Sequence, residues 1–314
     1  MKQIFNKTIL LGSLAVGLAA ILWSLDGVFI RPRFYQFPAA LIVFLEHLFG
    51  FLLLSIFLFK DWASVKAMKR TNWIALFWIS LFGGLLGTLF ITKAFFAAFD
   101  GNITFATVII LQKLQSVFAL LLARLLLGEK LRPNFYLWAS FAIVSAYFIA
   151  FGKHGFNPVD LNFANSAAFF ALFAAFAFGS STVFGKKIVT NIPFSTAASL
   201  RFGLTTILAL FYIFLTGDIT KLGSLEGVHW LLLVAVVFSS GAIALFIYYF
   251  GLKRIPASFA TLFELFWPVS AITLDYFINK NSLTLTQIVA VVVLLFSLFQ
   301  ILEIKNPLGR KQNM

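Results

Sequence analysis

The sequence contains no cysteine, and this absence excludes disulfide bonds, zinc–thiolate centres and cysteine nucleophiles. Charged residues are also scarce: they make up 11% of the 314 residues, whereas hydrophobic residues make up 61%. An ordinary soluble domain is about 25% charged. Because a chain of this size cannot bury so much apolar surface inside one water-soluble globule, the composition predicts that lipid surrounds most of it.

The sequence also lacks the short motifs of common enzyme classes. It contains no His-Glu-x-x-His, no Gly-x-Ser-x-Gly and no Gly-x-x-x-x-Gly-Lys-Ser/Thr pattern. His154 and His229 stand alone at predicted loops, where surface roles are commoner than metal binding. We therefore predict no enzymatic activity, no cofactor and no metal site, with an intramembrane enzyme kept as a weaker alternative.

Long apolar runs dominate what is present. About 20 apolar residues span a bilayer as a helix, whereas β-barrel strands are shorter and alternate polar with apolar residues. The runs lie near residues 9–30, 37–59, 73–93, 103–127, 134–152, 163–185, 193–216, 229–252, 257–278 and 285–304. The first resembles a signal peptide, but its counterpart in the second half favours a retained helix. The sequence predicts an all-α integral membrane protein with ten transmembrane helices.

Basic residues lie mainly between the runs, so the net charge of +13 indicates topology rather than a nucleic-acid surface. With the N-terminus inside, fifteen Lys and Arg fall on inner segments and five on outer segments, Arg31 and Arg33 among them. The positive-inside rule then predicts that both ends are cytoplasmic, as ten crossings also require. We expect a multi-pass protein of the cell inner (cytoplasmic) membrane, in contact with the lipid bilayer and with no nucleic acid.

The two halves of the chain repeat the same landmarks. Phe37-Pro38 opens the second run and Ile192-Pro193 the seventh, while Asn72-Trp73 opens the third and His229-Trp230 the eighth. Small residues that predict close helix packing occur at matched positions, namely Gly83, Gly84 and Gly87 with Ser239, Ser240 and Gly241. Five helices per repeat invert the second repeat in the membrane, as in secondary transporters and some channels. The predicted repeats are residues 9–152 and 163–304.

One stretch resembles a known family. Leu111-Gln112-Lys113-Leu114-Gln115-Ser116-Val117-Phe118-Ala119-Leu120-Leu121-Leu122-Ala123, followed by Leu127-Gly128-Glu129-Lys130-Leu131, is similar to the fourth helix of EamA repeats in the drug/metabolite transporter superfamily. The family pattern usually has Pro where Ser116 stands, and the second copy keeps it at Pro268. The loss of Pro predicts a fourth helix straighter than the ninth. Over residues 9–304, the resemblance implies two inverted EamA repeats, alternating access without ATP, and export.

Eight charged residues fall inside the predicted spans, where a charge costs about 2.5–3.5 kcal/mol. Four lie within about one helical turn of a helix end, where snorkelling or interfacial pairing is expected: Asp26, Lys93, Arg124 and Asp275. The other four lie deeper: Glu46, Lys113, Arg201 and Glu264. At three matched positions the halves carry opposite signs, in the pairs Glu46 with Arg201, Lys113 with Glu264, and Arg124 with Asp275.

Two explanations of the deep charges stay open: ion pairs that hold the halves in register, or groups that bind substrate in a central cavity. A zwitterion would place its carboxylate at Lys113 or Arg201 and its amine at Glu264 or Glu46. Polar and aromatic neighbours complete a predicted substrate site of Glu46, Gln112, Lys113, Gln115, Arg201, Tyr248, Tyr249, Glu264 and Trp267. Proton coupling through Glu46 or Glu264 is an open alternative.

The sequence thus predicts a permease that moves a small polar metabolite, such as an amino acid or related organic solute, outward across the membrane. A non-transporting membrane scaffold and a channel are the alternatives. The fifth and tenth runs carry no charge in their interior. We therefore expect them at the periphery, facing lipid or a second subunit in a homodimer.

Overall fold

The structure is a computed structural model that describes residues 7–99, 104–127, 133–151, 167–255, 260 and 263–303. Every regular element in these ranges is a helix. Within them, six helices are long and apolar enough to cross a membrane: Lys7–Phe34, Arg70–Phe99, Phe105–Leu122, Ala167–Asn191, Phe194–Thr216 and Gly227–Arg254. Shorter apolar helices accompany them. The protein is therefore an α-helical, multi-pass membrane protein.

Several helices of the first half are interrupted. The helices are α1 (Lys7–Leu25), α2 (Ala39–Leu54), α3 (Ile56–Lys60), α4 (Trp62–Lys66), α5 (Arg70–Trp78), α6 (Gly87–Phe99), α7 (Phe105–Gln112), α8 (Gln115–Leu127) and α9 (Pro133–Phe151). α1 continues into a wide π-helical turn, Asp26–Ile30, and a tight 3₁₀ turn, Arg31–Phe34. A second π-helical segment, Ile79–Leu86, joins α5 to α6. Such segments are frequent at functional sites.

The second half begins with long, uninterrupted helices. Its helices are α10 (Ala167–Asn191), α11 (Phe194–Thr216), α12 (Gly227–Phe238), α13 (Ala242–Arg254), α14 (Phe266–Asn279) and α15 (Leu285–Glu303). A 3₁₀ helix, Asp218–Ser224, lies between α11 and α12. The family motif residues 128–131 and the predicted repeat boundaries at 152, 163 and 304 lie outside the described ranges.

Proline and glycine set the helix ends that the sequence predicts. α2 begins directly after Pro38 and α11 directly after Pro193, and both prolines have extended ψ values, of 127° and 136°. Proline suits the start of a helix because it has no N–H to leave unpaired. α11 ends at Gly217, whose φ of +76° is the left-handed conformation that a glycine cap supplies. The predicted openings at residues 37–38 and 192–193 are confirmed.

Helices of one half pack against helices of the other. α1 contacts α13 and α14, α10 contacts α6 and α8, α2 contacts α11, and α9 contacts α15. The π-helical segment Ile79–Leu86 approaches α10 and α11 closely, because its glycines lack side chains. A Cβ on Gly84 would come within 2.9 Å of Cβ of Thr205, and one on Gly83 within 2.7 Å of Cβ of Ser181. The predicted close packing at these glycines is confirmed.

The fourth helix is interrupted at the same matched position as the ninth, so the structure does not bear out the expectation that it is straighter than the ninth. α7 ends at Gln112 and α8 starts at Gln115, with a tight turn at Lys113 and Leu114 between them. The backbone N–H groups of Lys113 and Leu114 donate to carbonyls three residues earlier, at 3.0 and 3.1 Å. Glu264 and Leu265 form a turn at the matched position just before α14. Proline is therefore not what interrupts these helices, since the copy without proline is interrupted as well.

Candidate functional site

A cavity lies between the two halves of the molecule. The space between its walls amounts to about 980 Å³, a figure that includes open solvent. Its walls come from α1, α2, α6, α8, α10, α11, α13 and α14 and from the interruptions between helices. Both buried charges and aromatic rings face it.

The charged wall of the cavity is built around Arg31. Its Nη2 lies 2.5 Å from Oδ2 of Asp26 and 3.0 Å from Oε2 of Glu46, and its Nε donates to the same Asp26 oxygen at 2.8 Å. Its Nη1 donates to the hydroxyl of Thr92 at 3.0 Å. All three charged residues are at most 5% exposed. We call Asp26, Arg31 and Glu46 the Arg31 triad.

The Arg31 triad corrects three predictions. Arg31 does not lie in an outer loop, because α1 continues through two non-α turns that carry it back into the protein. Asp26 is not at an exposed helix end for the same reason. Glu46 consequently pairs with Arg31, and its predicted counterpart Arg201 has other partners.

The opposite wall carries the pair that the sequence predicts. Nζ of Lys113 lies 3.4 Å from Oε2 of Glu264, which also accepts a hydrogen bond from Nε2 of Gln115 at 2.9 Å. The hydroxyl of Tyr248 donates to the other carboxylate oxygen at 2.8 Å. We call Lys113, Gln115, Tyr248 and Glu264 the Glu264 cluster. Its formal charges cancel, and both oxygens of its carboxylate have donors.

Arg201 is the cation of the cavity that lacks an acidic partner. Its Nη1 donates to the hydroxyl of Tyr249 at 3.0 Å and its Nη2 to the carbonyl of Gly83 at 2.6 Å. Its Nε has no hydrogen-bond partner among the described residues, and none of the described carboxylates forms an ion pair with it. Arg201 therefore gives its part of the cavity a positive potential.

Three aromatic rings form a continuous wall beside the Glu264 cluster. The ring of Trp23 lies 5.3 Å from that of Tyr248 and 5.9 Å from that of Trp267. The ammonium of Lys113 lies 4.6 Å from the centre of the Trp267 ring. Nε1 of Trp267 is buried and has no hydrogen-bond partner among the described residues. The planes of Tyr248 and Trp267 are each tilted by 53° to that of Trp23, so the wall offers separate apolar ring faces, with a buried and unpartnered hydrogen-bond donor at one edge.

The lining of the cavity also includes a gap between two helices. α12 ends at Phe238 and α13 begins at Ala242, and the backbone at Ser239 and Gly241 leaves the helical region, with ψ values of −85° and −108°. The carbonyl of Ser240 accepts a hydrogen bond from Nε1 of Trp23 at 2.9 Å. Irregular backbone at membrane depth occurs where it lines a cavity, as Ser240 and Gly241 do here.

Most residues of the predicted site meet at this cavity. Seven of the nine line it: Glu46, Gln115, Arg201, Tyr248, Tyr249, Glu264 and Trp267. Lys113 lies behind the wall, 1% exposed, and Gln112 bonds to Gln115 from the same buried layer. Neither Lys113 nor Gln112 is among the lining residues. Seven of the predicted residues therefore share one cavity, two lie in the layer behind it, and the role of all nine in substrate binding stays a prediction.

Sequence reasoning missed Trp23, Asp26 and Arg31 as cavity residues. For Asp26 and Arg31 a signal was available: an acid and a base five residues apart at the end of an apolar run can pair within the protein. Pro32 obscured it, because Arg31-Pro32-Arg33 is typical of a loop. Trp23 carried no signal beyond being one of many aromatic residues.

The third matched pair does not form. Asp275 is buried, where it accepts from the backbone N–H of Ala106 at 3.0 Å and from Nδ2 of Asn279 at 2.9 Å. It thereby stabilises the first turn of α7 from within about one turn of the end of α14, which is the helix-end position that the sequence predicts for it. Arg124 is exposed, with its guanidinium 5.8 Å from the ring centre of Tyr136. This position agrees with the snorkelling that was expected of Arg124.

Comparison with known proteins agrees with this architecture. The EamA-like transporter family matches the chain twice, at residues 10–151 and 165–302. The chain is 36% identical to the riboflavin transporter ImpX of Fusobacterium nucleatum subsp. nucleatum over 291 residues, which cover 92% of this chain and 97% of that protein. It also resembles a protein of known crystal structure, with a TM-score of 0.63 and 18% identity over 95% of this chain and 99% of the other. Since the family matches nearly the whole sequence, the chain belongs to the EamA-like transporter family.

Proposed function

We propose that this protein is a secondary transporter that carries riboflavin, or a closely related flat and polyhydroxylated compound, across the membrane by alternating access. The observation that carries the proposal is the aromatic wall of Trp23, Tyr248 and Trp267. The isoalloxazine ring of riboflavin is flat and presents carbonyl oxygens at its edge. Stacking on the wall would bring such an oxygen to the unpartnered Nε1 of Trp267.

The polar part of the cavity supports the same substrate class. Riboflavin carries a ribityl chain with several hydroxyl groups, which need both donors and acceptors when they leave water. Glu46 and Glu264 supply acceptors, while Gln115 and Arg201 supply donors, and all of them line the cavity. The substrate named for the 36% identical relative adds independent support.

The amino acid predicted from the sequence stays a second candidate because of Arg201. A guanidinium with no acidic partner favours a ligand that carries a carboxylate. Glu264 supports an amine less well, since Lys113 already neutralises it.

We further propose that the helices form ten membrane crossings in two inverted repeats, residues 9–152 and 163–304, in the inner membrane with both ends cytoplasmic. The packing supports this plan, since α1 against α13 and α10 against α6 are related pairs, and α2 with α11 and α9 with α15 pair counterparts. Net movement outward is the direction that the family resemblance implied, and it stays a prediction.

Entrance counterflow in proteoliposomes tests the function. Vesicles that contain the purified protein are loaded with unlabelled riboflavin, and the entry of labelled riboflavin is followed over time. We expect saturable entry that excess unlabelled riboflavin outside abolishes. Excess amino acids in place of riboflavin should leave entry unchanged, and inhibition by one of them would favour the second candidate. The absence of any saturable riboflavin entry would contradict the proposal.

Substitution of the aromatic wall tests the site. Aromatic stacking on a flat ring contributes about 1–3 kcal/mol. Trp267→Ala should therefore raise the riboflavin concentration for half-maximal counterflow by roughly tenfold or more. Trp267→Phe keeps the ring face and should raise it less. Trp62→Ala is the matched control, because Trp62 is exposed and lies outside the cavity. If Trp267→Ala and Trp62→Ala have equal half-saturation concentrations, the aromatic wall is not part of the substrate site.

A further inference from the structure

The Arg31 triad has one more carboxylate than it has cations. Asp26 and Glu46 share a single guanidinium, so with both acids ionised the triad has a formal charge of −1. All three side chains are buried. An uncompensated charge in this environment costs several kcal/mol, so the triad needs one further positive charge.

Two unpartnered oxygens show where that charge fits. Oδ1 of Asp26 and Oγ of Ser240 are both buried and have no hydrogen-bond partner among the described residues. Ser240 is a neighbour of Asp26 and belongs to the gap between α12 and α13. The hydroxyl of Ser240 suits both protonation states of Asp26, because it can accept a hydrogen bond from a protonated Oδ1 and donate one to an ionised Oδ1. Oδ2 would still accept from Arg31, as it does now.

No other charged group that the structure describes forms an ion pair with the triad. The contacts of the surrounding charged or titratable side chains are these: His47 with Val43, Lys93 with the ring of Phe170, Lys113 and Tyr248 with Glu264, Arg201 with Tyr249 and Gly83, His229 with Glu226, and Asp275 with Ala106. Arg201 lines the same cavity, but it bonds to neutral groups and to neither acid of the triad. Within the described part of the chain, the second carboxylate of the triad therefore has no cation in direct contact beyond the one that it shares.

We propose that the Arg31 triad binds the coupling proton of the transport cycle, on Oδ1 of Asp26, with Ser240 as the acceptor of its hydrogen bond. The inference rests on the proposed function as a secondary transporter. The bound proton makes the triad neutral. On release, the O–H bond of Asp26 breaks, the proton passes to solvent in the cavity, and the triad becomes an anion that attracts hydrogen-bond donors of the substrate.

The placement of the triad suits coupling. Asp26 and Glu46 line the same cavity as the aromatic wall, so substrate and proton sense each other without a long pathway. Trp23 connects the two directly, because it belongs to the aromatic wall and donates to the carbonyl of Ser240. A change in the gap between α12 and α13 therefore reaches both sites.

Infrared spectroscopy of the purified full-length protein tests the proton site without a substrate. Exposed carboxylates are ionised at neutral pH. Difference spectra between neutral and alkaline pH should therefore contain the C=O band of a carboxylic acid that is still protonated at neutral pH, and Asp26→Asn should remove it. Asp218→Asn is the matched control, since Asp218 lies in the 3₁₀ helix outside the cavity, and it should keep the band. A band that survives in Asp26→Asn overturns the proposal.

Riboflavin accumulation under an imposed pH gradient tests the coupling. We expect the gradient to drive accumulation in the wild type and a proton ionophore to abolish it. Asp26→Asn mimics the protonated acid but cannot release a proton. The ratio of riboflavin accumulation with the pH gradient to accumulation without it should therefore fall at least tenfold in this variant, whatever the change in counterflow.

The possible failures are distinguishable. Wild-type counterflow without any accumulation driven by the pH gradient overturns the proton site and leaves the proposed function intact. Accumulation that follows a sodium gradient at constant pH also overturns it, because the cation would then be Na⁺. Conversely, an infrared band that depends on Asp26 in a protein that does not move riboflavin would support the proton site and reject the proposed substrate.

Discussion

The Arg31 triad and the Glu264 cluster occupy the same cavity with opposite charge balance. In the Glu264 cluster one acid faces one base, and both oxygens of the carboxylate have donors. In the triad two acids face one base, and one oxygen of Asp26 has none. A balanced and fully bonded cluster holds its geometry, whereas an unbalanced one responds to whatever charge arrives. We therefore assign a fixed wall to the first and a variable charge to the second.

The largest expected effect is that of Arg31→Gln. It leaves two buried carboxylates without a cation, and loss of one partner from a buried pair already costs about 3–5 kcal/mol. We expect a loss of about 5 kcal/mol in the free energy of unfolding, measured by denaturant titration in detergent micelles. Further substitution with Asp26→Asn and Glu46→Gln should recover most of it. If Arg31→Gln alone is as stable as the wild type, the triad is not the charge centre described here.

Lys113→Gln should have the next largest effect, about 3 kcal/mol, because it leaves the Glu264 carboxylate buried without its cation. The double variant Lys113→Gln with Glu264→Gln should regain most of this free energy in the same titration. A transport measurement separates the two sites further. The double variant should retain its response to the pH gradient, because the Glu264 cluster carries no proton in our proposal. If the double variant loses that response while its counterflow stays normal, Glu264 rather than Asp26 is the residue that binds the proton.

Arg201→Gln should affect binding more than stability. Its hydrogen bonds go to a hydroxyl and a carbonyl, and no described acid depends on it, so we expect a change of about 1 kcal/mol in the free energy of unfolding. The riboflavin concentration for half-maximal counterflow should rise by roughly tenfold. A stability loss as large as that of Lys113→Gln would instead make Arg201 part of the structural framework.

Arg124→Gln should have the smallest effect. Arg124 is exposed and is not among the residues that line the cavity. We expect a change within about 0.5 kcal/mol in the free energy of unfolding and unchanged counterflow. This variant is also the control for the other three, because each of them likewise removes one positive charge. A large effect would indicate a partner for Arg124 in the assembled protein.

Sequence reasoning found what depends on composition and spacing. Apolar runs predicted the helices, Pro38 and Pro193 predicted where two of them start, and the matched signs of Lys113 and Glu264 predicted their contact. These features follow from local chemistry and from the repeat. They could be predicted because they depend on apolar side chains, on the missing N–H of proline and on charge, which do not vary with the position of a residue.

The missed features depend on backbone geometry that residue type does not specify. Arg31 lies next to a proline, and only the π-helical and 3₁₀ turns after α1 bring it to Asp26 and Glu46. The interruption at Lys113 arises without proline, and the gap at Ser239–Gly241 has no proline either. Such deviations are selected by tertiary contacts, so a pattern of hydrophobicity cannot reveal them.

The gap between α12 and α13 has a counterpart in the first half that is built differently. Residues 82–84 match Ser239–Gly241 at an offset of 157, yet there the chain stays wound as the π-helical segment Ile79–Leu86. A continuous helix resists bending through its hydrogen bonds, whereas a gap has already given some of them up. At this matched position the second half is therefore the easier to bend. The two copies of this helix would bend to different extents during a transport cycle, although their positions in the sequence correspond.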